Sequence, residues 1–238
     1  MTRYALFLAP LPGDALDVEA ARWLGRDVYA DTEPRQTGGD GIGADEQAEL
    51  TATARRYGFH GTMKAPFPLA DGAHETDLVN AFNAYCLTVP AMPAPRLRLG
   101  NLDGFFALVP DGPAPAIDAL ARDLVATFDR FRAPLSEADI ARRNPDRLAP
   151  NERANLQRWG YPYVMEAFRF HMTLTHRVRE PDQARVEAAL ASRFGHIVRV
   201  PLTGLALALF VERAPGALFN VLSWRQLTLL PAADPVPT

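Results

Sequence analysis

Two short stretches, "YGFHGTMK" (57–64) and "FRFHMTLTH" (168–176), constrain this chain more than any other feature. Each sets a His-x-Thr triplet in an alternation of apolar and polar residues. Each is followed by a helical pattern and then by two strand-like segments, from His60 to about Val109 and from His171 to about Leu230. A sequence that repeats strand, helix, strand, strand is expected to fold as two similar sheet-forming lobes with one groove between them. The run at about 115–160 is then a helical insert between the copies.

Side chains at i and i+2 of a strand share a face, about 6–7 Å apart. That rule groups His60, Thr62 and Lys64 in the first copy and Arg169, His171, Thr173 and Thr175 in the second. With five histidines and fourteen threonines, roughly a third of one His-x-Thr triplet is expected by chance. There are three. The third, His74-Glu75-Thr76, lies in "ADGAHETD", a turn entering a helix, and reads as accidental. The other two share the longer Phe-His-x-Thr pattern in matching contexts, which separates them from chance. His176 falls on the opposite face from His171, and His196 in a polar link, so neither is counted with the site.

The rest of the chain reads as a mixed set of elements. Strands are expected at 3–10, 57–69, 97–112 (two, around Asn101–Gly104) and 163–178, with a hairpin over 201–213 and 217–230. Helices are expected at 17–30, 75–89, 115–131 and 181–195, with two short ones in 133–160 broken at Pro145 and Pro150. Residues 31–50 are polar and Gly-rich and read as a loop. Its "GGDGIG" has no preceding strand and no following Lys-Ser/Thr, so it is not a phosphate cradle. The fold class is α+β, one bilobal unit over 1–238.

Hydrophobic residues make up 48% of the 238, enough to build a core. The net charge of −3 leaves no basic field for long nucleic acid. One cysteine, Cys86, precludes an internal disulfide and fits a reducing compartment. The start, "MTRYALFLAP", lacks the pattern of a signal peptide, and no apolar run approaches a membrane span. The expectation is a soluble, cytoplasmic monomer.

Two imidazoles with two hydroxyls suit displacement at phosphorus. One neutral His takes a proton from water while a charged one gives a proton to the departing alkoxide. Thr62 and Thr173 would hold the non-bridging oxygens, and Lys64 and Arg169 would offset charge. No His-x-His, His-Glu-x-x-His or paired-Asp signature suggests a metal, and no Gly-x-Ser-x-Gly elbow suggests acyl transfer. Which histidine is acid and which base is open at this level.

The paired motifs resemble the two-histidine (2H) phosphoesterase superfamily. "RYGFHGTMKAPF", "FDRFRAPL", "WGYPYV" and "FRFHMTLT" resemble its DUF1045-like branch, linked to phosphonate metabolism, over about residues 3–230. The resemblance implies a bilobal α+β fold, both motifs on a central groove, no cofactor and no metal. It implies a phosphodiesterase that opens a small cyclic phosphodiester, a nucleoside 2′,3′-cyclic or ribose cyclic phosphate, with His60 and His171 catalytic. Tyr4, Tyr161 and Tyr163 are further candidate substrate contacts. The arginines at 142, 143, 147, 153 and 158 read as a solvated face or a lid that attracts an anion. The rival readings are a non-catalytic nucleotide or sugar-phosphate binding protein that uses the same groove, and a phosphoesterase with the two histidines as metal ligands.

Overall fold

The computed structural model describes residues 1–231. The apolar run near the start forms β1 (Arg3–Pro10), followed by α1 (Ala15–Leu24), which ends at Gly25 in the left-handed region. Next come α2 (Ala44–Arg55), β2 (Gly61–Phe67), α3 (Glu75–Cys86), the short β3 (Met92–Pro93), β4 (Leu97–Leu102) and β5 (Phe105–Pro110). The insert supplies α4 (Pro115–Thr127), α5 (Glu137–Arg142) and α6 (Pro150–Trp159). Then follow β6 (Met172–Arg177), α7 (Glu180–Val198), β7 (Leu205–Glu212), β8 (Phe219–Gln226) and β9 (Leu229–Leu230).

Seven strands form one antiparallel sheet in the order β4-β5-β6-β2-β1-β7-β8, and β3 pairs with β9 in a separate two-stranded ribbon. The α+β class is therefore as expected, and the two lobes are two halves of one sheet. The hairpin of each copy has joined the half-sheet that holds the histidine strand of the other. β4 and β5 pair with β6, whereas β7 and β8 continue from β1 and β2. A single bridge, Gly61 opposite Met172, closes the seam between the halves.

The helices cover one face. On β1, Tyr4, Leu6 and Leu8 face the main core, with Trp23 of α1, Phe82 of α3 and Leu124 of α4. The alternate residues Ala5 and Phe7 look to the other face, where Phe210 and Phe219 make a smaller cluster. β7 is buried at every position. Each fully buried Leu or Phe contributes about 1.5–3 kcal/mol by leaving water, so the β1–β7 pairing, unbroken from Arg3 opposite Glu212 to Pro10 opposite Leu205, anchors the sheet.

Two expectations are corrected. The loop assigned to 31–50 gives way at Ala44 to α2. Its inward face carries Gln47 and Thr51 between Leu50 and Ala54, so a count of apolar residues does not register it. Gln47 donates to the Trp23 carbonyl and accepts from the Gly38 amide, so the buried amide is satisfied. The strand assigned to 163–178 starts only at Met172, because Val164 to Phe168 wind into a single 3-10 turn at Met165–Ala167. His171 and His60 both sit one residue before their strands.

The seam depends on a side chain that is missing. A Cβ on Gly61 would lie 2.3 Å from the Phe170 ring, so only glycine lets the half-sheets approach here. Gly61→Ala is expected to destabilise the fold by about 1–3 kcal/mol through overpacking, measured by urea unfolding. A variant as stable as wild type would show that the seam tolerates separation.

Candidate functional site

The two histidines are held the same way. His60 Nδ1 lies 2.9 Å from the Gly58 carbonyl and His171 Nδ1 lies 2.8 Å from the Arg169 carbonyl, in each case two residues back. A carbonyl only accepts, so Nδ1 carries the hydrogen in both rings. In the neutral ring Nε2 is then a free base. Gly58 turns the chain for this bond at φ +72°, where a Cβ would strike Val28 at 2.0 Å. Around His60, Phe7 stacks on the imidazole with centroids 3.8 Å apart and Tyr57 lies at 5.7 Å. The Thr62 hydroxyl is 3.1 Å from Nε2. Desolvation lowers the pKa of His60 to about 4, against the Gly58 carbonyl, which raises it; His171 nearby lowers it further. His60 is thus neutral at physiological pH. His171 packs edge-on against Phe105, 5.7 Å between centroids.

His60, Thr62 and the rings of Phe7, Tyr57 and Phe105 line a groove of about 480 Å³ on the sheet face opposite the main core. Phe7, Tyr57, Gly58, His60 and Thr62 form one wall, and Phe105, Thr173, Thr175, His176 and Arg177 the other. Thr53, Ala54, Ala65, Pro66, Tyr161, Arg143 and Arg3 complete the lining. His60, Thr62, Thr173 and Tyr161 therefore share one cavity, whereas His171 is not among its lining residues and meets it only through its contact with Phe105. Among the described residues, no three His, Cys, Asp or Glu side chains gather where they could hold a metal ion. No helix among them is long and apolar enough to cross a membrane.

Other sequence-predicted residues lie elsewhere. Lys64 was grouped with His60 and Thr62 by simple alternation. Along β1, Phe7 pairs with Thr62 but Leu6 pairs with Lys64, so Met63 is an extra residue and β2 is bulged. A bulge resets the alternation, and Lys64 turns to the helical side with Leu6. There it is buried and donates to the Val125 carbonyl and to Asp129. Tyr4 also faces the core, its hydroxyl donating to Glu75 at 2.7 Å. Arg169 is exposed and reaches the site through its backbone carbonyl. Tyr163 is exposed and meets the groove only through its edge contact with Tyr161.

Sequence reasoning missed Phe7, Tyr57, Phe105, Arg3 and Arg177, and it set His176 aside. A register shift between Phe105 and Ala107 breaks the alternation on β6, and the Thr175 hydroxyl accepts the Phe106 amide there. His176 consequently reaches the wall. Arg143 was legible only as part of a cationic run.

A family model described as protein of unknown function (DUF1045) matches residues 62–220. The chain belongs to the DUF1045 family. That agrees with the 2H phosphoesterase-like branch to which the motifs pointed. A protein from Janthinobacterium sp. (strain Marseille) named "Ribose 1,5-bisphosphate phosphokinase PhnN" is 38% identical over 231 residues, 95% of this chain and 51% of the relative. A protein of the same name from Laribacter hongkongensis (strain HLHK9) is 36% identical over 228 residues, 92% of this chain and 50% of the relative. The chain thus spans about half the length of these curated relatives. No solved structure matches it.

The buried Lys64 makes stability depend on pH. Desolvation lowers its pKa to about 8, against the Asp129 carboxylate, which raises it. Below about 8 both folded and unfolded chains carry the charge, and its burial cost is fully present. From there up to the ordinary lysine range the folded chain binds fewer protons, so stability rises with pH. Between pH 7 and 10.5, wild type is expected to gain on the order of 2 kcal/mol relative to Lys64→Met, measured by urea unfolding at each pH. Parallel pH dependences would refute the assignment.

Proposed function

We propose that this chain is a metal-independent cyclic phosphodiesterase acting on a ribose-type cyclic phosphate. The observation that carries the reading is the matched pair of histidines, each with Nδ1 committed to a carbonyl two residues back, so that Nε2 offers its lone pair, in His60 toward the Thr62 hydroxyl, which a phosphate oxygen would draw away. In this reading the neutral His60 removes a proton from water through Nε2, and the water oxygen bonds to phosphorus. One ring P–O bond breaks, and His171 delivers the proton to the departing alkoxide oxygen. Thr62 and Thr173 donate to the non-bridging oxygens. Hydroxyl donors aimed at developing charge in a partly dry groove stabilise it more than water does.

The relatives' name favours a sugar substrate. Opening a 1,2-cyclic phosphate at O2, on a ribose that carries a 5-phosphate, yields ribose 1,5-bisphosphate, the compound in that name. In this reading the phosphokinase lies in the half of those relatives that this chain does not match. The sequence has one lysine, Lys64, preceded by Met63, so it contains no Gly-x-x-x-x-Gly-Lys-Ser/Thr loop to cradle nucleotide phosphates.

The test is hydrolysis in excess EDTA of ribose 1,2-cyclic phosphate, its 5-phosphate and nucleoside 2′,3′-cyclic phosphates. Turnover should survive chelation and fall at least about 100-fold in His60→Ala and in His171→Ala. Loss of activity on chelation, restored by metal, would favour the metal-ligand reading. Binding without turnover would favour a sensor.

The pH profile adds a second check. With His60 as base, the acid limb of kcat/KM should lie near pH 4, since that parameter reports the free enzyme. A bound phosphate anion raises the pKa of a neighbouring imidazole, so the acid limb of kcat should lie at higher pH. Coincident limbs near pH 6.5 would assign the base elsewhere.

A further inference from the structure

The groove is more cationic than one cyclic phosphodiester requires. Its lining holds Arg3, Arg143 and Arg177 and no Asp or Glu, in a chain whose acidic residues outnumber the basic ones, 28 to 25. Among the described residues, Arg143 and Arg177 form no ion pair. Arg3 pairs with the fully buried Glu212, but Arg56 pairs with the same carboxylate. Two guanidinium groups over one carboxylate leave a positive charge there as well. A cyclic phosphodiester carries a single negative charge, and the neutral His60 adds no positive one. A phosphomonoester adds about 1.5 to 2 negative charges near pH 7, which brings substrate and groove into balance.

Arg143 is held by an aromatic ring and not by a carboxylate. Its guanidinium carbon lies 4.9 Å from the centre of the Tyr161 ring, a cation–π contact that, with a hydrogen bond to the Tyr161 side chain, fixes the group while its remaining N–H donors stay available. The neighbouring arginines are occupied: Arg142 pairs with Asp139, and Arg153 donates to the Pro145 carbonyl. Asn144, in the left-handed region at φ 48°, turns the chain immediately after Arg143. Tyr161 adjoins Ala65 and Pro66 in the groove wall. Ala65 and Pro66 lie further along the same strand as Thr62, between its pairing with Phe7 and that of Phe67 with Tyr4, so Arg143 and Tyr161 meet the groove away from the histidine end of β2.

We propose that Arg143, held over Tyr161, binds a second phosphate of the substrate, remote from the cyclic ester, and makes the groove selective for cyclic esters that carry one. The proposal rests on the phosphodiesterase reading above. The experiment compares ribose 1,2-cyclic phosphate with and without a 5-phosphate, using wild type, Arg143→Gln and Arg143→Lys, with calorimetric binding of ribose 5-phosphate alongside. Arg143 is exposed, so neither substitution disturbs the core. The ratio of kcat/KM values, phosphorylated over unphosphorylated, should fall about tenfold or more in Arg143→Gln and partly recover in Arg143→Lys. An unchanged ratio would overturn the proposal. If wild type opens neither ester, calorimetry decides alone. Ribose 5-phosphate bound at least tenfold more weakly by Arg143→Gln sustains the subsite while the activity reading falls. Equal or undetectable binding by the two proteins ends it.

Discussion

The whole arrangement turns on how little joins the two half-sheets. They meet through Gly61 opposite Met172 and nowhere else along β2 and β6, so beyond that bridge the two strands are free to part. A fuller ladder would make a flat surface with the histidines on it. One bridge, with a glycine that admits the Phe170 ring, brings the strands together only where the two histidines stand. Each histidine then sits at the entry to its strand, where the backbone has a carbonyl free to fix the imidazole.

The exchange of hairpins gives this seam its rigidity. Because β7 and β8 pack beside β1 and β2, residues late in the chain brace the loop before His60. The Phe219 amide donates to the Arg56 carbonyl, Arg56 donates to the Ala217 carbonyl, and the buried Glu212 joins Arg56 to Arg3. Trp23 of α1 likewise donates to the Leu174 carbonyl of β6. Bracing of this kind limits side-chain motion at the site, which matters because orientation contributes a large part of any catalytic advantage.

Electrostatics in the groove follow from what is absent as much as from what is present. A lining without carboxylates leaves arginine charge unneutralised and attractive to phosphate, while the aromatic packing of Phe7 and Tyr57 keeps His60 uncharged. An uncharged imidazole beside a cationic rim suits the phosphodiesterase proposed above.

The sequence alone determined the two His-x-Thr strands, most helices, the α+β class and that His60, Thr62 and Thr173 share one groove. These were legible because alternation is a local property, set by two-residue periodicity. Local periodicity fails where the backbone departs from regularity. The bulge at Met63 sent Lys64 to the core, and the irregularity on β6 brought His176 to the wall. The polar inner face of α2 hid a helix, since Gln47 and Thr51 satisfy their hydrogen bonds inside the fold. Tyr4 went to the core face because β1 is buried on both sides, so its alternation does not announce which face is which. Only the tertiary structure decided which arginines meet the groove and which hairpin belongs to which histidine, because both depend on pairings between residues far apart in the chain.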